Sequence, residues 1–364
     1  MNLLEKSMYT VIMAGGSGTR FWPASRKKKP KQFLPIFGTE PMIVETCNRM
    51  NPIARDQEII FVLGKEHLAE AGALFQGRPV HLIGEPVGRN TAPCIGLGAL
   101  YASYLGCDSP LAFLPADHFI ADPAAFIECL VAAASRVRDG GIATLGIVPT
   151  RPETGYGYIK RGKRVSHGIE SCFEVDAFVE KPTLAKAQEY LKAGKYYWNA
   201  GIFLAHPKTI LQEIRNCLPP LYEGLMALKK ELPSPPFDEA LAAVYSRLEA
   251  ISFDYGIMEK TQADLFVVPC ECGWSDVGSW GSLYELKEGD QDDAGNLFDE
   301  DSILMDCSRV FVSNQGKRIV ACLGMKDCLV VDTEDALLLA DLKKTQDIRK
   351  IVEWLKKNGK EPWL

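Results

Sequence analysis

Residues 11–34 read VIMAGGSGTRFWPASRKKKPKQFL, the stretch of this chain best equipped to handle phosphate. The apolar run from Val11 to Met13 predicts a buried strand. It feeds a glycine turn, Gly15 to Gly18, whose backbone N–H groups can face an anion. Arg20 and Lys31 follow and can neutralise further phosphate charge, with Pro30 stiffening the chain before Lys31. The dinucleotide fingerprint G-x-G-x-x-G fails, because Phe21 stands where the third glycine should be. The G-x-x-x-x-G-K-[ST] phosphate loop fails too, since no Gly-Lys-Ser/Thr follows. The bland alternative is a turn with no ligand, and the two basic residues weigh against it. The triplet Lys27-Lys28-Lys29 is by default a solvated loop, although its place also suits an anionic ligand.

Carboxylates supply the second kind of chemistry. Asp117 ends an apolar strand in LAFLPADHF and can hold a hard cation at a nucleotide's phosphates. The alternative role is a helix N-cap. Asp276, in GWSDVGSW, has the same choice between cation ligand and turn residue. Two such carboxylates, remote in sequence, can clamp one Mg²⁺ that keeps waters and phosphate oxygens. In DAFVEKP, Glu180 can accept sugar hydroxyls and Lys181 can meet a phosphate; a surface salt bridge is the alternative. Gly157, between Tyr156 and Tyr158, can bring backbone amides beside a ligand or simply make a turn. Asn199, in the apolar setting YWNAGIFL, can bind a sugar hydroxyl or satisfy buried backbone. Glu85 opens EPVGRNTA, and its carboxylate can accept from guanine's N1–H and 2-amino groups, a donor pair adenine lacks. His118 is suggestive only because it adjoins Asp117. No Ser-His-Asp or Cys-His arrangement stands out, which argues against covalent catalysis.

The elements that must position these groups follow from the hydrophobic pattern. Strands are predicted at Tyr9–Met13, Glu58–Gly64, Val80–Ile83, Pro110–Leu114 and Gly141–Ile147. Helices are predicted around Met42–Met50, His67–Phe75, Thr91–Leu105 and Phe126–Val137. This alternation is the signature of an α/β fold with a mostly parallel sheet covered by helices on both faces. Ligands in such folds lie beyond the carboxyl ends of strands, where the glycine turn and Asp117 fall. Further strands are expected at Thr154–Arg161, Ser171–Phe178 and Gly201–Ala205, with helices at Ala185–Lys192, Lys208–Leu218 and Glu239–Arg247 and a proline-rich loop at Leu232–Asp238. After Glu288 the acidic, glycine-flanked Gly289–Gly295 reads as a linker. The short β runs Val310–Ser313, Arg318–Cys322, Cys328–Asp332 and Ala336–Ala340 then suggest a small all-β unit. Ile348, Ile351, Val352 and Leu355 predict a closing amphipathic helix. The domains expected are 1–288 and 289–364.

Bulk composition narrows the class. The chain has 364 residues, a formal net charge of −6, 47% hydrophobic and 24% charged residues, ordinary values for a globular protein. The acidic balance argues against a nucleic-acid binder. Eleven cysteines, an odd number in a long chain, read as buried free thiols of a reducing cytoplasm. Cys270-x-Cys272 has no second pair at zinc spacing. MNLLEKSMYT lacks the apolar core of a signal peptide, and no apolar run approaches a membrane span. A cytoplasmic protein without membrane association is expected.

Taken together, AGGSGTRFWPASRKKKPKQFL, EPVGRNTAPCIGL, FLPADHFI, TGYGYI, FVEKP, YWNAGIFL, FDYGIMEK and GWSDVGSW resemble, in order, the motifs of sugar-1-phosphate nucleotidylyltransferases. The FWP-x-SR-x₄-KQFL form and GRNTAP resemble the mannose-1-phosphate guanylyltransferases among them, and the likeness covers essentially the whole chain. Cys94 after GRNTAP and Gly256 in FDYGIMEK are small departures that touch no charged position.

The resemblance implies a Rossmann-like mixed, mostly parallel sheet with a small left-handed β-helix-like C-terminal unit and terminal helix. It implies GTP and mannose 1-phosphate as substrates, GDP-mannose and pyrophosphate as products, Mg²⁺ as cofactor and a homodimer. It assigns the nucleotide to Ala14, Gly15, Gly16, Gly18, Thr19, Glu85, Gly88, Asn90 and Thr91. Catalysis falls to Arg20 and Lys31, the metal to Asp117 and Asp276, and the sugar phosphate to Gly157, Glu180, Lys181 and Asn199. A fused isomerase domain, found in bifunctional relatives, is not expected in a chain of this length. Two rival readings remain: a transferase for another hexose or heptose 1-phosphate or another nucleoside triphosphate, and a silent regulatory relative.

Overall fold

A computed structural model describes residues 8–16, 18–165, 171–232 and 237–364. Ser17 of the glycine turn, residues 233–236 of the proline-rich loop and the segment Met1–Ser7 lie outside the described residues. The strands are β1 (Thr10–Ala14), β2 (Ile59–Gly64), β3 (His81–Glu85), β4 (Leu111–Pro115), β5 (Phe119–Ile120), β6 (Ile142–Ile147), β7 (Tyr158–Val165), β8 (Cys172–Val179), β9 (Tyr196–Ala205), β10 (Leu265–Pro269), β11 (Trp274–Ser275), β12 (Ser302–Met305), β13 (Ser308–Asn314), β14 (Val320–Leu323), β15 (Lys326–Asp332) and β16 (Leu337–Asp341). The helices are α1 (Met42–Arg49), α2 (Leu68–Leu74), α3 (Thr91–Tyr104), α4 (Pro123–Arg136), α5 (Leu184–Ala193), α6 (Pro207–Cys217), α7 (Pro219–Lys229), α8 (Phe237–Arg247), α9 (Trp280–Leu286) and α10 (Ile348–Lys357).

Two compact units emerge, and neither is continuous in sequence. The first contains residues 1–15, 44–116 and 120–274; the second contains 16–43, 117–119 and 275–364.

The first unit is built on a nine-stranded sheet in the order β3-β2-β1-β4-β9-β6-β10-β8-β7, with β9 also pairing β7. Strands β1 to β4 are mutually parallel, β6 and β10 are parallel, and β8 and β9 run against the rest. The expected mixed, mostly parallel α/β sheet is therefore present. All five residues of β1 are buried, as a strand with both faces covered requires. Helix α3 crosses beneath it closely: a Cβ at Gly98 would lie 2.6 Å from Val11 Cγ1. The core of the unit joins Val11, Ile60, Val62 and Phe113 to Ile95, Leu97, Ile214, Leu225 and Tyr245.

Several boundaries moved for identifiable reasons. Helix α4 starts three residues early, because Asp122 caps it by accepting from the N–H groups of Ala124 and Ala125 at 3.0 Å, and Pro123 fits the first turn. The N-cap role weighed for Asp117 thus belongs to Asp122. Strand β9 begins five residues before Gly201, whose φ of +66° is taken up as an irregularity in its register with β6. Strand β7 begins only at Tyr158, after the Gly157 turn. Helix α7, strand β10 and helix α9 were not predicted. The Pro219-Pro220 pair opens α7, where proline is tolerated in the first turn.

The second unit combines short β-helix-like strand pairs with the signature segment. β13 pairs β15 in parallel, β12 pairs β14 in parallel, and β16 closes on β15 antiparallel. Its core packs Phe21, Trp22 and Leu34 against Trp280, Leu297, Phe311, Leu329, Val331, Ile348 and Val352. The Gly289–Gly295 stretch is an ordered turn, in which Asp292 accepts from the backbone N–H groups of Ala294 and Asn296 at 2.9 and 2.7 Å. The terminal helix α10 is amphipathic as expected, with Ile348 and Val352 buried, but Ile351, expected on the same apolar face, is exposed, as is Trp354. All eleven cysteines are free thiols. No helix among the described residues is long and apolar enough to cross a membrane.

Candidate active site

In the second unit the signature segment is built around Lys31. Its side chain is buried, 4% exposed, and its ammonium has three acceptors. It donates to the Asp117 carboxylate (Oδ2, 3.0 Å), the Asp117 carbonyl (2.8 Å) and the Asp276 carbonyl (2.7 Å). One cation therefore ties together two segments 159 residues apart in sequence, both of which carry a candidate metal ligand. Desolvation alone would raise the Asp117 carboxyl, but the Lys31 ammonium, helped by His118, outweighs it and holds Asp117 below the usual range. Asp117 stays ionised at neutral pH.

The glycine turn fits over this lysine. Gly18 has φ +55°, and a Cβ there would lie 2.6 Å from Lys31 Cβ and 2.9 Å from its backbone nitrogen. Only glycine satisfies both limits. Ser25 Oγ donates to the Gly18 carbonyl, and Gln32 Nε2 donates to the Gly16 carbonyl at 3.4 Å. Thr19 opens the short 3₁₀ turn that carries Arg20. Arg20 is exposed, and its Nη1 donates to Gln346 Oε1 at 3.1 Å. A Cβ at Gly278 would stand 2.9 Å from Asp276 Oδ2 and 3.3 Å from Arg20 Nη1, so both side chains converge on that glycine. Val277, between them, is held at φ +47°, a region a β-branched residue adopts only under constraint. Arg20, Lys31, Asp117 and Asp276 are thus brought together, while Lys27, Lys28 and Lys29 are exposed.

In the first unit, two groups of predicted residues assemble. Ala14 ends β1, and Glu85 ends β3 with its Oε2 3.9 Å from where a Cβ on Gly15 would stand. Glu85 is 5% exposed, and burial pushes its carboxyl up to about 7. The Tyr245 hydroxyl faces it and counters this a little, yet neither Glu85 Oε1 nor that hydroxyl completes a hydrogen bond. Gly88 lies in open surroundings. Asn90, at φ +68°, caps α3 by accepting from the Thr91 N–H at 2.8 Å. Thr91 Oγ1 accepts from the Phe253 N–H at 2.8 Å.

The second group surrounds Gly157. A Cβ on Gly157 would collide with Glu180 Oε2 and lie 3.2 Å from Asn199 Cβ, so absence of a side chain lets these two groups converge. Asn199 Nδ2 donates to Asp254 Oδ1 at 2.7 Å, and its Oδ1 accepts from the Gly201 N–H at 3.0 Å. Burial, then the nearby Glu180 charge, pushes the Asp254 carboxyl up to about 6. Lys181 pairs with Glu180 Oε1 at 3.0 Å and stands at φ +48°. Burial would lower the Lys181 ammonium, but Glu180 overcomes this and raises it. Tyr156 meets Trp198 and Trp274 edge-on, with ring centroids 5.2 and 5.4 Å apart.

Sequence reasoning missed Asp254 and Tyr245. Asp254 opens a π-helical turn, Asp254–Met258, a geometry frequent at functional sites. Its signal was a carboxylate in the otherwise apolar FDYGIM, a motif quoted above without a role. Tyr245 carried no signal, being one more aromatic on a helix.

Comparison with known proteins gives concordant results. Residues 9–293 match the family model described as Nucleotidyl transferase, and residues 300–355 match the MannoseP isomerase/GMP-like beta-helix domain. The chain is 41% identical to the xanthan biosynthesis protein XanB of Xanthomonas campestris pv. campestris, over 96% of this chain and 73% of that protein. It is 40% identical to a mannose-1-phosphate guanylyltransferase of Escherichia coli K12, over 98% of this chain and 75% of that protein. Among solved structures, a mannose-1-phosphate geranyltransferase from Thermus thermophilus superposes with a TM-score of 0.86 at 33% identity, covering 96% of this chain and 99% of the other.

Proposed function

Because this chain belongs to the nucleotidyl transferase family and, within it, to the mannose-1-phosphate guanylyltransferases, we propose that it converts GTP and α-D-mannose 1-phosphate to GDP-mannose and pyrophosphate. A phosphate oxygen of the sugar phosphate attacks the α-phosphorus in line. One P–O bond forms as the bond to the bridging oxygen breaks, and pyrophosphate leaves with that electron pair. Such a transfer asks the protein for positioning and charge neutralisation rather than covalent chemistry.

The residues take roles that match their surroundings. Backbone N–H groups at Gly15, Gly16 and Gly18, flanked by Ala14 and Thr19, cradle the triphosphate. Arg20 and Lys31 neutralise charge on the α-phosphate and the leaving pyrophosphate. Glu85 accepts from guanine, with Gly88, Asn90 and Thr91 beside base and ribose. Glu180 and Asn199 grip the hexose over Gly157, and Lys181 meets its phosphate. The observation that carries the reading is the Glu180–Asn199–Asp254 group. Asp254, pushed up to about 6 by burial and then by the Glu180 charge, weakens the fold, but the two carboxylates suit a polyhydroxylated ligand.

Asp117 and Asp276 fit a hard divalent cation, since both offer carboxylate oxygen and Asp117 is kept ionised. Among the described residues no group of three or more His, Cys, Asp or Glu is arranged to hold an ion. This chain would supply only part of the shell, as Mg²⁺ bound through phosphates requires. When bound, Mg²⁺ would offset phosphate charge.

The protein acts in the cytoplasm as a homodimer. Exposed apolar side chains on and beside the short C-terminal strands, Ile303, Met305, Ile319, Leu323 and Leu339, suit a second copy. Sedimentation checks this, and a monomer at micromolar concentration refutes it. The substrate assignment is tested by pyrophosphate release from a panel of nucleoside triphosphates and hexose 1-phosphates, with and without Mg²⁺. The guanosine–mannose pair should be fastest and metal-dependent. Equal turnover with ATP, dTTP or glucose 1-phosphate overturns the selectivity, and undiminished turnover in EDTA overturns the metal.

A further inference from the structure

Buried polar atoms in folded proteins almost always have hydrogen-bond partners, and each exception calls for a reason. Glu85 Oε1 and the Tyr245 hydroxyl are two such exceptions. Glu85 is 5% exposed and Tyr245 fully buried, yet they face each other. The other carboxylate oxygen, Oε2, lies toward Gly15. Tyr245 sits on α8, whose C-terminal carbonyls at Tyr245 and Ser246 accept from Arg89 Nε and Nη2 at 2.9 and 3.2 Å. Arg89 belongs to the loop that follows Glu85. A guanidinium at a helix C-terminus is electrostatically favourable, and here it fixes α8 relative to that loop.

We infer that Tyr245 is a specificity-determining positioning residue, whose hydroxyl donates to Glu85 and holds it as a carboxylate that only a base edge with two adjacent donors satisfies. The inference rests on the reading of Glu85 as the guanine acceptor. A carboxylate has about four acceptor positions, so one O–H from Tyr245 leaves room for two donors from a base. The groups facing Glu85 are Tyr245 from α8 and Cys94 from α3. Burial, followed by Glu85's own charge, keeps the Tyr245 hydroxyl protonated, and burial does the same for the Cys94 thiol. No cation stands among these groups, so Tyr245 is the donor able to favour the ionised form. A base presenting an acceptor in place of a donor would leave the carboxylate buried and unpaired, which is strongly unfavourable.

The test compares wild type, Tyr245→Phe and Glu85→Gln by kcat/KM for GTP between pH 6 and 9, and by the GTP:ITP:ATP ratio at pH 8. Tyr245→Phe removes one oxygen and keeps the buried ring in place, so folding should hold; Tyr245→Leu removes the same hydroxyl and repeats the test if it does not. Loss of the donor should move the acid limb of the GTP profile up by about one pH unit, as loss of a hydrogen bond to a charged group implies. KM for GTP at pH 7 should rise about tenfold, and KM for mannose 1-phosphate should not move. A wild-type limb and KM in both hydroxyl-free variants overturns the role of Tyr245. Unchanged base ratios and an unchanged limb in Glu85→Gln would instead overturn the reading of Glu85 itself.

Discussion

Glu85, proposed above as the guanine acceptor, is a residue that weakens the fold. Its carboxyl, ordinarily near 4.5, is pushed up to about 7 by burial. An acid whose folded value lies above its unfolded value binds more protons in the native state. Stability therefore falls as pH rises from about 4.5 to about 7, and the loss persists above that. The shift corresponds to at most about 3 kcal/mol. Glu85→Gln should consequently raise the melting temperature by a few degrees at pH 8 and hardly at all at pH 4, while raising KM for GTP at least tenfold. Thermal melts at the two pH values check this, and an equal shift at both refutes it. Asp117 is the opposite case. Lys31 holds it below its usual range, so its contribution is present above that range and is lost on acidification.

At the scale of elements, the group proposed to hold the hexose is assembled from a strand end, a strand interior and a π-helical turn. Glu180 and Lys181 leave the end of β8, Asn199 lies within β9, and Asp254 opens a π-helical turn. Gly157 is the gap through which their side chains meet. Gly157→Ala places a methyl group against Glu180 Oε2 and close to Asn199 Cβ. The glutamate must swing away, at the end of a strand that can tolerate it. The expected result is a KM for mannose 1-phosphate raised about tenfold or more, an order of loss typical of misplaced positioning groups, with KM for GTP near wild type. Steady-state kinetics decide the matter, and a selective rise in the GTP term would remove Gly157 from the sugar group.

At the scale of the molecule, the phosphate-handling segment is housed with the C-terminal strands. Phe21, Trp22 and Leu34 share a core with Leu297, Phe311, Leu329 and Val331. Arg26 pairs with Asp335 at 2.7 Å, and Trp22 Nε1 donates to the Trp363 carbonyl at 2.8 Å. Each large apolar side chain stripped of its cover forfeits about 1.5–3 kcal/mol. A chain cut after Glu288 should therefore lose GTP binding as well as the β unit. Soluble yield and calorimetric titration with GTP would reveal it, and a truncated chain that binds GTP normally would contradict it. The C-terminal strands thus share one core with the segment proposed to handle phosphate.

What the sequence determined by itself is what local chemistry encodes. Buried apolar runs specify strands such as β1, β2 and β4, a periodic apolar face specifies α6, and positive-φ turns at Gly16 and Gly18 demand glycine. Arg20, Lys31, Asp117, Glu180 and Asn199 stand out as candidates because phosphate, cations and sugars need such groups near strand ends. Tertiary structure alone decided which of them meet. Lys31 reaches the Asp276 carbonyl across 245 residues of sequence, and Tyr245 comes to face Glu85 from a helix that no local pattern connects to it. Such pairings arise from the packing of whole elements, which no short window of sequence contains. The same packing placed residues 16–43 with the last ninety residues of the chain, although the signature begins at the end of the first strand of the other unit.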